Sequence, residues 1–259
     1  MLKINQLSAA YGRQTILKEL SFSIEKGTIN TIIGPNGCGK STLFKLIGKN
    51  MKKSKGDIFL QAKNIEDYAV KEYAKKVSLL PQGPSAPEDY TVRDLIQYGR
   101  QPHLNWRGKY TERDYEIVDW AIKQTKLSAF EDRYLATLSG GERQRAWISM
   151  ALAQQTDLIL LDEPTTYLDI AHQFELLELI KQLNQEMGIT FLMVLHDLNQ
   201  AARYSDQIII LSEGSLFRQG RPSEVINQET LEKVFNMKVE IQMDLSNNCP
   251  YIIPVGACQ

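Results

Sequence analysis

The chain has 259 residues, 43% of them hydrophobic and 24% charged, and its 30 Lys and Arg nearly balance 31 Asp and Glu, for a formal charge of −1. Without a basic excess, coating of a polyanion is disfavoured and no nucleic-acid partner is expected. The longest apolar runs, such as Leu158–Leu161 and Ile189–Leu195 with Thr190 interrupting it, fall far short of the ~20 residues of a membrane span. The opening MLKINQLSAAYGR has no signal-peptide core, and Cys38, Cys249 and Cys258 are too few for a disulfide framework. The expectation is a soluble cytosolic globular protein that reaches a membrane only through a partner.

In chain order, Leu20, Phe22 and Ile24 alternate with Ser21, Ser23 and Glu25, a period of two that predicts a half-buried strand. The largely apolar Thr28–Ile33 predicts an interior strand running into Gly34. Short β-like runs recur at Val77–Leu80, Leu158–Leu161, Thr190–Leu195 and Ile208–Leu211. Between the second and third of these, Ile170, Phe174, Leu177, Ile180, Leu183 and Met187 are spaced three or four apart and predict one apolar helix face. The alternation argues for an α/β layer architecture with a largely parallel central sheet. Residues 83–138, opening with Gly83, Pro84 and Pro87, read as an inserted helical subdomain. After Gly214 the pattern predicts a hairpin into Ser215–Gln219, then a helix, then a weak β segment around Val239–Met243.

Three short segments carry chemistry. Gly34-Pro35-Asn36-Gly37-Cys38-Gly39-Lys40-Ser41 fits G-x-x-x-x-G-K-[ST] between a predicted strand and the helical run Ser41–Ile47. Glycines let successive N–H groups turn inward on a polyphosphate, the helix start adds positive potential, Lys40 supplies a mobile cation and Ser41 a hydroxyl for Mg²⁺. Cys38 lies inside this loop, where it reads as a small tolerated residue; the alternative is a thiol whose pKa the helix start lowers. Leu158–Leu161 then ends in Asp162 and Glu163 at the carboxyl edge of a buried strand, where α/β sheets bind ligands. Asp162 suits a Mg²⁺ shell and Glu163 suits orienting or deprotonating water. Finally, Leu138-Ser139-Gly140-Gly141-Glu142 opens a helix; Ser139 and Glu142 fit a capping box, while two glycines at a helix start suit close approach by a ligand.

Taken in order, Gly34–Ser41, Gln82, Leu138–Glu142, Leu158–Glu163 and His196 resemble the ABC ATPases, the nucleotide-binding subunits of ABC transporters, from Leu2 to about Gly220. The resemblance implies a P-loop NTPase core with a mostly parallel central sheet, an N-terminal antiparallel β part and the inserted helical subdomain. These make one domain over 1–220, with 221–259 as a C-terminal extension packed on the core. It implies ATP on Gly34–Ser41 and Thr42, adenine stacked on Tyr11, and Mg²⁺ served by Ser41, Gln82 and Asp162. By the same resemblance Glu163 is expected to act on water, Gln82 to move with the helical subdomain and His196 to switch near the γ-phosphate. The resemblance further implies that two copies pack head to tail as a homodimer, so that each ATP also meets Ser139, Gly140, Gly141 and Glu142 of the other copy. Asp169 communicates across that dimer and equally suits the N-cap of the helix at Ile170.

Thr165–Gln173, Leu195–Ala201 and Tyr98–His103 resemble a narrower branch that energises bacterial importers of ferric siderophores, with haem and vitamin B12 importers nearby. That branch implies two integral-membrane permease subunits, gripped through Gly83–His103 with Tyr90 and Arg100 at the contact. It also implies an indirect extracytoplasmic substrate-binding protein and a peripheral position on the cytoplasmic face of the bacterial cell membrane. A non-transport ABC ATPase would bring a second ATPase unit, a long coiled coil or a basic surface, and none is visible. A small-molecule phosphotransferase would need an acceptor pocket in place of LSGGE.

Overall fold

The computed structural model describes residues 1–258; Gln259, the end of the expected extension, lies outside the described residues. The chain begins with strands β1 (Leu2–Tyr11), β2 (Gln14–Ile24) and β3 (Ile29–Ile33), then helix α1 (Lys40–Ile47) and strands β4 (Lys55–Leu60) and β5 (Lys63–Asn64). It continues through α2 (Val70–Ala74), β6 (Val77–Leu80), α3 (Val92–Tyr98), α4 (Glu112–Gln124), α5 (Gly140–Ala153), β7 (Leu158–Asp162) and α6 (Ile170–Met187). Next come β8 (Thr190–Val194), α7 (Leu198–Tyr204), β9 (Gln207–Ser212) and β10 (Ser215–Gly220). The chain closes with α8 (Pro222–Val225), α9 (Gln228–Phe235), β11 (Met237–Asp244) and β12 (Cys249–Ala257).

Two compact units result. The first comprises Met1–Asp67 and the chain from Thr190 onward. Its antiparallel part runs β2-β1-β4-β5. Its parallel part sets β3 between β8 and β9, with β10 antiparallel on β9. All five residues of β3 and of β8 are buried. Strands covered on both faces must be apolar throughout, which is why these segments read as continuous apolar runs rather than alternating ones. The C-terminal β11–β12 ribbon pairs Met237 with Ala257 through to Asp244 with Cys249. Sequence periodicity finds β11 but not β12, whose Pro250 and Pro254 argue against a central strand; a two-stranded ribbon consists only of edges and tolerates both. β1 and β4 are also missed; for β1, bulges interrupt its register against each neighbour and break its alternation.

The second unit spans Tyr68–Ile189. β6 and β7 pair in parallel, Val77 with Leu158 through Leu80 with Leu161, and α5 packs against α3, α4 and α6. Thr91 with Asp94 and Thr111 with Asp114 form capping boxes that start α3 and α4. The predicted apolar face of α6 is corrected at its start. Leu177, Ile180 and Leu183 are buried, together with Leu176 and Leu179. Ile170 and Phe174 stand 72% and 37% exposed, because the helix begins a turn and a half before it meets its own core.

Arg100 also differs from expectation. It is not a contact residue on the surface but is 4% exposed. Its Nε donates to Asp114 Oδ1 at 2.9 Å and its Nη1 donates to the Ala153 carbonyl at 2.7 Å. Burial works against the Asp114 carboxylate, but hydrogen bonds from the Thr111 hydroxyl and backbone N–H, then the Arg100 guanidinium, outweigh it and hold the carboxyl below its ordinary range. Removing one partner of a buried pair strands the other charge. Arg100→Ala therefore costs about 3–5 kcal/mol of unfolding free energy at neutral pH, read by urea titration. Because the folded-state carboxyl of Asp114 is depressed, its contribution is present above the ordinary carboxylate range and lost as pH falls through and below it. The gap between variant and parent accordingly narrows in acid.

Candidate nucleotide site

In the first unit the buried strand β3 ends at Gly34, whose φ of 155° and surroundings demand glycine: a Cβ there would lie 2.2 Å from the Leu211 carbonyl oxygen. Gly39, at the N-cap of α1 with φ 106°, is held by the same kind of limit, a Cβ meeting Leu17 Cδ2 at 2.5 Å. No side chain caps α1, so the loop's own backbone shapes the helix start, where N–H groups favour anions. Lys40 is buried and its ammonium donates to the carbonyls of Gly34 at 2.8 Å and Pro35 at 3.0 Å. That is a cation folded back over the loop. Asn36, Gly37 and Ser41 are exposed, Pro35 half-buried and Thr42 buried. Tyr11 ends β1 opposite Gln14 and is 50% exposed, an open aromatic face at a hairpin tip. His196, exposed, follows β8 and precedes Asp197, the N-cap of α7.

Of the two readings of Cys38, the small residue agrees with the structure and the activated thiol is corrected. The thiol is 4% exposed, and burial pushes its pKa up against the lowering influence of Lys40. The Lys40 ammonium lies 4.0 Å from the sulfur, yet loss of water around the thiolate outweighs its attraction, and the side chain serves as a small buried filler against Gly34.

In the second unit the parallel register decides the geometry. Leu80 faces Leu161, so Gln82 and Glu163 each lie two residues beyond a paired position. Their side chains meet: Gln82 Nε2 donates to Glu163 Oε2 at 2.5 Å, and the Thr166 hydroxyl donates to the same oxygen at 3.3 Å. Glu163 has φ 54°, a left-handed conformation that costs a non-glycine residue of order 1 kcal/mol. The turn spends that strain reversing the chain directly after β7. Asp162, half-buried, ends the strand itself. A cleft of about 190 Å³ opens here, lined in part by Pro81, Gly140, Trp147, Asp162, Glu163 and Tyr167.

The start of α5 is a complete capping box: Ser139 Oγ accepts from the Glu142 N–H at 3.3 Å, and Glu142 Oε2 accepts from the Ser139 N–H at 2.8 Å. The Ser139 hydroxyl, then its backbone N–H, hold the Glu142 carboxyl below its ordinary range. The two glycines inside the box differ. A Cβ on Gly141 would stand 2.4 Å from His172 Cδ2, so this glycine is required by internal packing. A Cβ on Gly140 would make only ordinary contacts, 3.4 Å to Leu168 Cδ2 and 3.8 Å to the Tyr167 carbonyl oxygen, and among the described residues none requires it to be bare.

Asp169 is the N-cap of α6, as its sequence position suggested. Its Oδ1 accepts from the His172 N–H at 2.9 Å and lies 2.7 Å from the His172 ring Nδ1. The backbone donor first, and the ring second, lower its pKa. His172 thus touches both Asp169 and Gly141, a junction that sequence spacing alone did not disclose, although the i, i+3 offset of Asp169 and His172 was its available signal.

Parallel strands whose carboxyl ends present a glycine-rich cradle in one unit and a carboxylate pair in the other define a P-loop nucleoside triphosphatase. A family model described as ABC transporter matches residues 17–166. That span contains the cradle, Gln82, Ser139–Glu142, Asp162 and Glu163 but stops short of Asp169 and His196. The iron(3+)-hydroxamate import ATP-binding protein FhuC of Bacillus subtilis is 46% identical over 96% of this chain and 93% of its own length. Among solved structures, one described as a metal-chelate type ABC transporter in an inward-facing conformation superposes with a TM-score of 0.85 at 28% identity, over 98% of this chain and 97% of that one. The ATP-binding cassette MJ0796, dimeric and bound to ADP and Pi in a post-hydrolysis state, superposes at 0.73 with 29% identity, over 85% of this chain and 98% of its own. The chain belongs to the ABC transporter family, and it is an ABC-type ATPase that binds ATP and couples its hydrolysis to transport.

The contrast between the two glycines is measurable. Gly141→Ala should lower stability by about 1–3 kcal/mol in urea unfolding, since a methyl group must displace His172. Gly140→Ala should leave stability unchanged or raise it by up to about 1 kcal/mol through helix propensity.

Proposed function

We propose that two copies of this chain sandwich ATP and that closure of the pair drives uptake of a ferric siderophore through membrane permeases. The observation that carries the reading is Gly140. It is exposed at a capped helix start, bare without an internal reason, as a surface meeting a ligand held by another copy requires. Apolar Tyr167 and Ile170, 89% and 72% exposed on either side of Asp169, support the same face, because large apolar side chains clustered on a surface mark association. The dimeric MJ0796 cassette is a relative in which such pairing occurs.

In this reading Gly34, Pro35, Asn36, Gly37, Cys38 and Gly39 supply the backbone of the cradle, with Ser41 and Thr42 in the first turn of α1. Lys40 transfers its ammonium from the Gly34 and Pro35 carbonyls to the β- and γ-phosphates, and Tyr11 stacks on adenine. The other copy contributes Ser139, Gly140, Gly141 and Glu142, whose helix start faces the γ-phosphate, and Asp169. Glu163 accepts the proton of the attacking water, and Gln82, donating to Oε2, orients the carboxylate so that its other oxygen serves as base. His196 contacts the γ-phosphate. The oxygen donors Ser41, Gln82 and Asp162, one of them a carboxylate, suit Mg²⁺, which prefers hard oxygen ligands with phosphate and water completing its shell. When bound, that ion neutralises charge on the transferred phosphoryl group. ATP shifts the pair towards closure because it touches both copies only in the closed state.

The domain division in this reading makes residues 1–220 the ATPase domain, with 83–138 as helical subdomain and 221–259 as an extension. Two permease subunits dock beside Gln82 and the segment from Gly83 to His103, Arg100 excepted. An extracytoplasmic binding protein delivers cargo to them, and the chain sits peripherally on the cytoplasmic face of the membrane. The iron(3+)-hydroxamate relative and the metal-chelate transporter support a ferric chelate as cargo.

Glu163→Gln should retain ATP binding and accumulate as a dimer with ATP and Mg²⁺, read by size-exclusion chromatography with light scattering; a species that stays monomeric rules out the sandwich. For cargo, the complex purified with its permease and reconstituted with its binding protein should raise its ATP turnover with a ferric siderophore and not with haem or vitamin B12. The reverse response transfers the assignment to the latter class.

A further inference from the structure

His196 lies between two elements. β8, buried along its whole length, delivers the chain to it, and α7 begins directly after Asp197, the residue that sets the turn. Asp197 Oδ1 accepts from the N–H groups of Asn199 at 2.8 Å and Gln200 at 2.9 Å, the N-cap arrangement. That leaves the Asn199 side chain for another task. Its Nδ2 donates to the Ile252 carbonyl at 3.0 Å, and its Oδ1 accepts from the Ile252 N–H at 2.7 Å. One amide side chain thus satisfies both main-chain groups of a residue 53 positions away, in the middle of β12. Two bonds from one planar amide fix orientation as well as distance, as two antiparallel strands do.

The clamp is held from both sides. Ile252 is 2% exposed, Cys249 is buried, and Ile252 is registered against Ile241 of β11. β11 packs in turn on α9, whose Leu231 and Val234 are buried. At the far end of α7 the Ser205 hydroxyl donates to Thr31 Oγ1 at 2.6 Å, tying the helix to β3, the strand that leads into the phosphate loop. α7 is therefore pinned at its C-terminus to the cradle strand and at its first turn to the C-terminal ribbon. The turn carrying His196 thus leads into a helix anchored at both ends.

We propose that the C-terminal ribbon positions His196, with Asn199 as the positioning residue that transmits its placement. This rests on the reading of His196 as a γ-phosphate contact and assigns the tail a part in the ATPase reaction. A terminal segment with no motif of its own then acts on hydrolysis by setting where a histidine far earlier in the chain comes to rest. Because the link runs through two hydrogen bonds rather than through the nucleotide, its loss affects turnover and spares ATP affinity.

The test is a double-mutant cycle on the full chain with ATP and Mg²⁺. Asn199→Leu, close in shape but without either bond, should lower kcat about fivefold or more while KM for ATP changes by less than about twofold. Tyr251→Ala, which removes the exposed neighbour of Ile252, should leave both constants unchanged. In a His196→Ala background, Asn199→Leu should produce no further fall, because its effect passes through the missing imidazole. An equal fall in both backgrounds, or no fall in the parent, overturns the proposal. His196→Ala with undiminished kcat overturns the reading of His196 and the proposal with it. Should Asn199→Leu not fold, Asn199→Asp, which keeps the acceptor for the Ile252 N–H and loses the donor, is taken through the same cycle under the same criteria.

Discussion

A missing side chain at Gly34 is the constraint on which the first unit turns. The carbonyl of Leu211 in β9 occupies the space a Cβ would need, 2.2 Å away. Only a bare backbone lets β3 keep its parallel pairing with β9 and still turn out of the sheet. Once it turns, Gly39 allows the loop to close against Leu17 and start α1 without a side-chain cap. The N–H groups at that start are then directed by the main chain alone, and Lys40 covers the loop through two of its carbonyls. A phosphate cradle is in this sense a packing solution before it is a binding site: the two glycines that admit an anion also allow the strand and the hairpin to pack.

In the second unit the equivalent organising fact is register. Parallel strands advance together, so the pairing of Leu80 with Leu161 brings the residues beyond each of them out of the sheet side by side. Gln82 and Glu163 meet for that reason, and the left-handed turn at Glu163 keeps the carboxylate at the strand end rather than carrying it away with the chain. Strain at such a point persists only where surrounding structure over-determines it, and the buried β7 before it together with the Thr166 hydrogen bond after it do so.

The glycine pair of α5 separates two kinds of requirement that a motif presents as one. Gly141 is small because His172 lies against it, whereas a Cβ on Gly140 would meet only ordinary contacts with Leu168 and Tyr167. His172 simultaneously holds Asp169 at the start of α6. His172 therefore joins the start of α5 to the start of α6, beside the exposed Tyr167 and Ile170. At the other end of the chain Asn199 plays the corresponding part for α7 and the ribbon.

The sequence by itself determined the α/β character of the chain, the buried strands β3, β7 and β8, the capping box at Ser139 and the order of the chemical motifs. Each of these depends on residues adjacent or a few positions apart, where period, propensity and turn chemistry act directly. The family emerged from that order. Only the tertiary structure decided that Arg100 is buried against Asp114, that the Cys38 thiol is enclosed rather than activated, and that Pro-containing β12 is a strand. It also decided which of two neighbouring glycines is free to face outward, that Gln82 reaches Glu163 across 81 positions and that Asn199 grips Ile252 across 53. The physical reason is common to all six. Burial, close approach and hydrogen bonding between distant segments are properties of the space the folded chain encloses, and no local pattern encodes which distant residue will fill it.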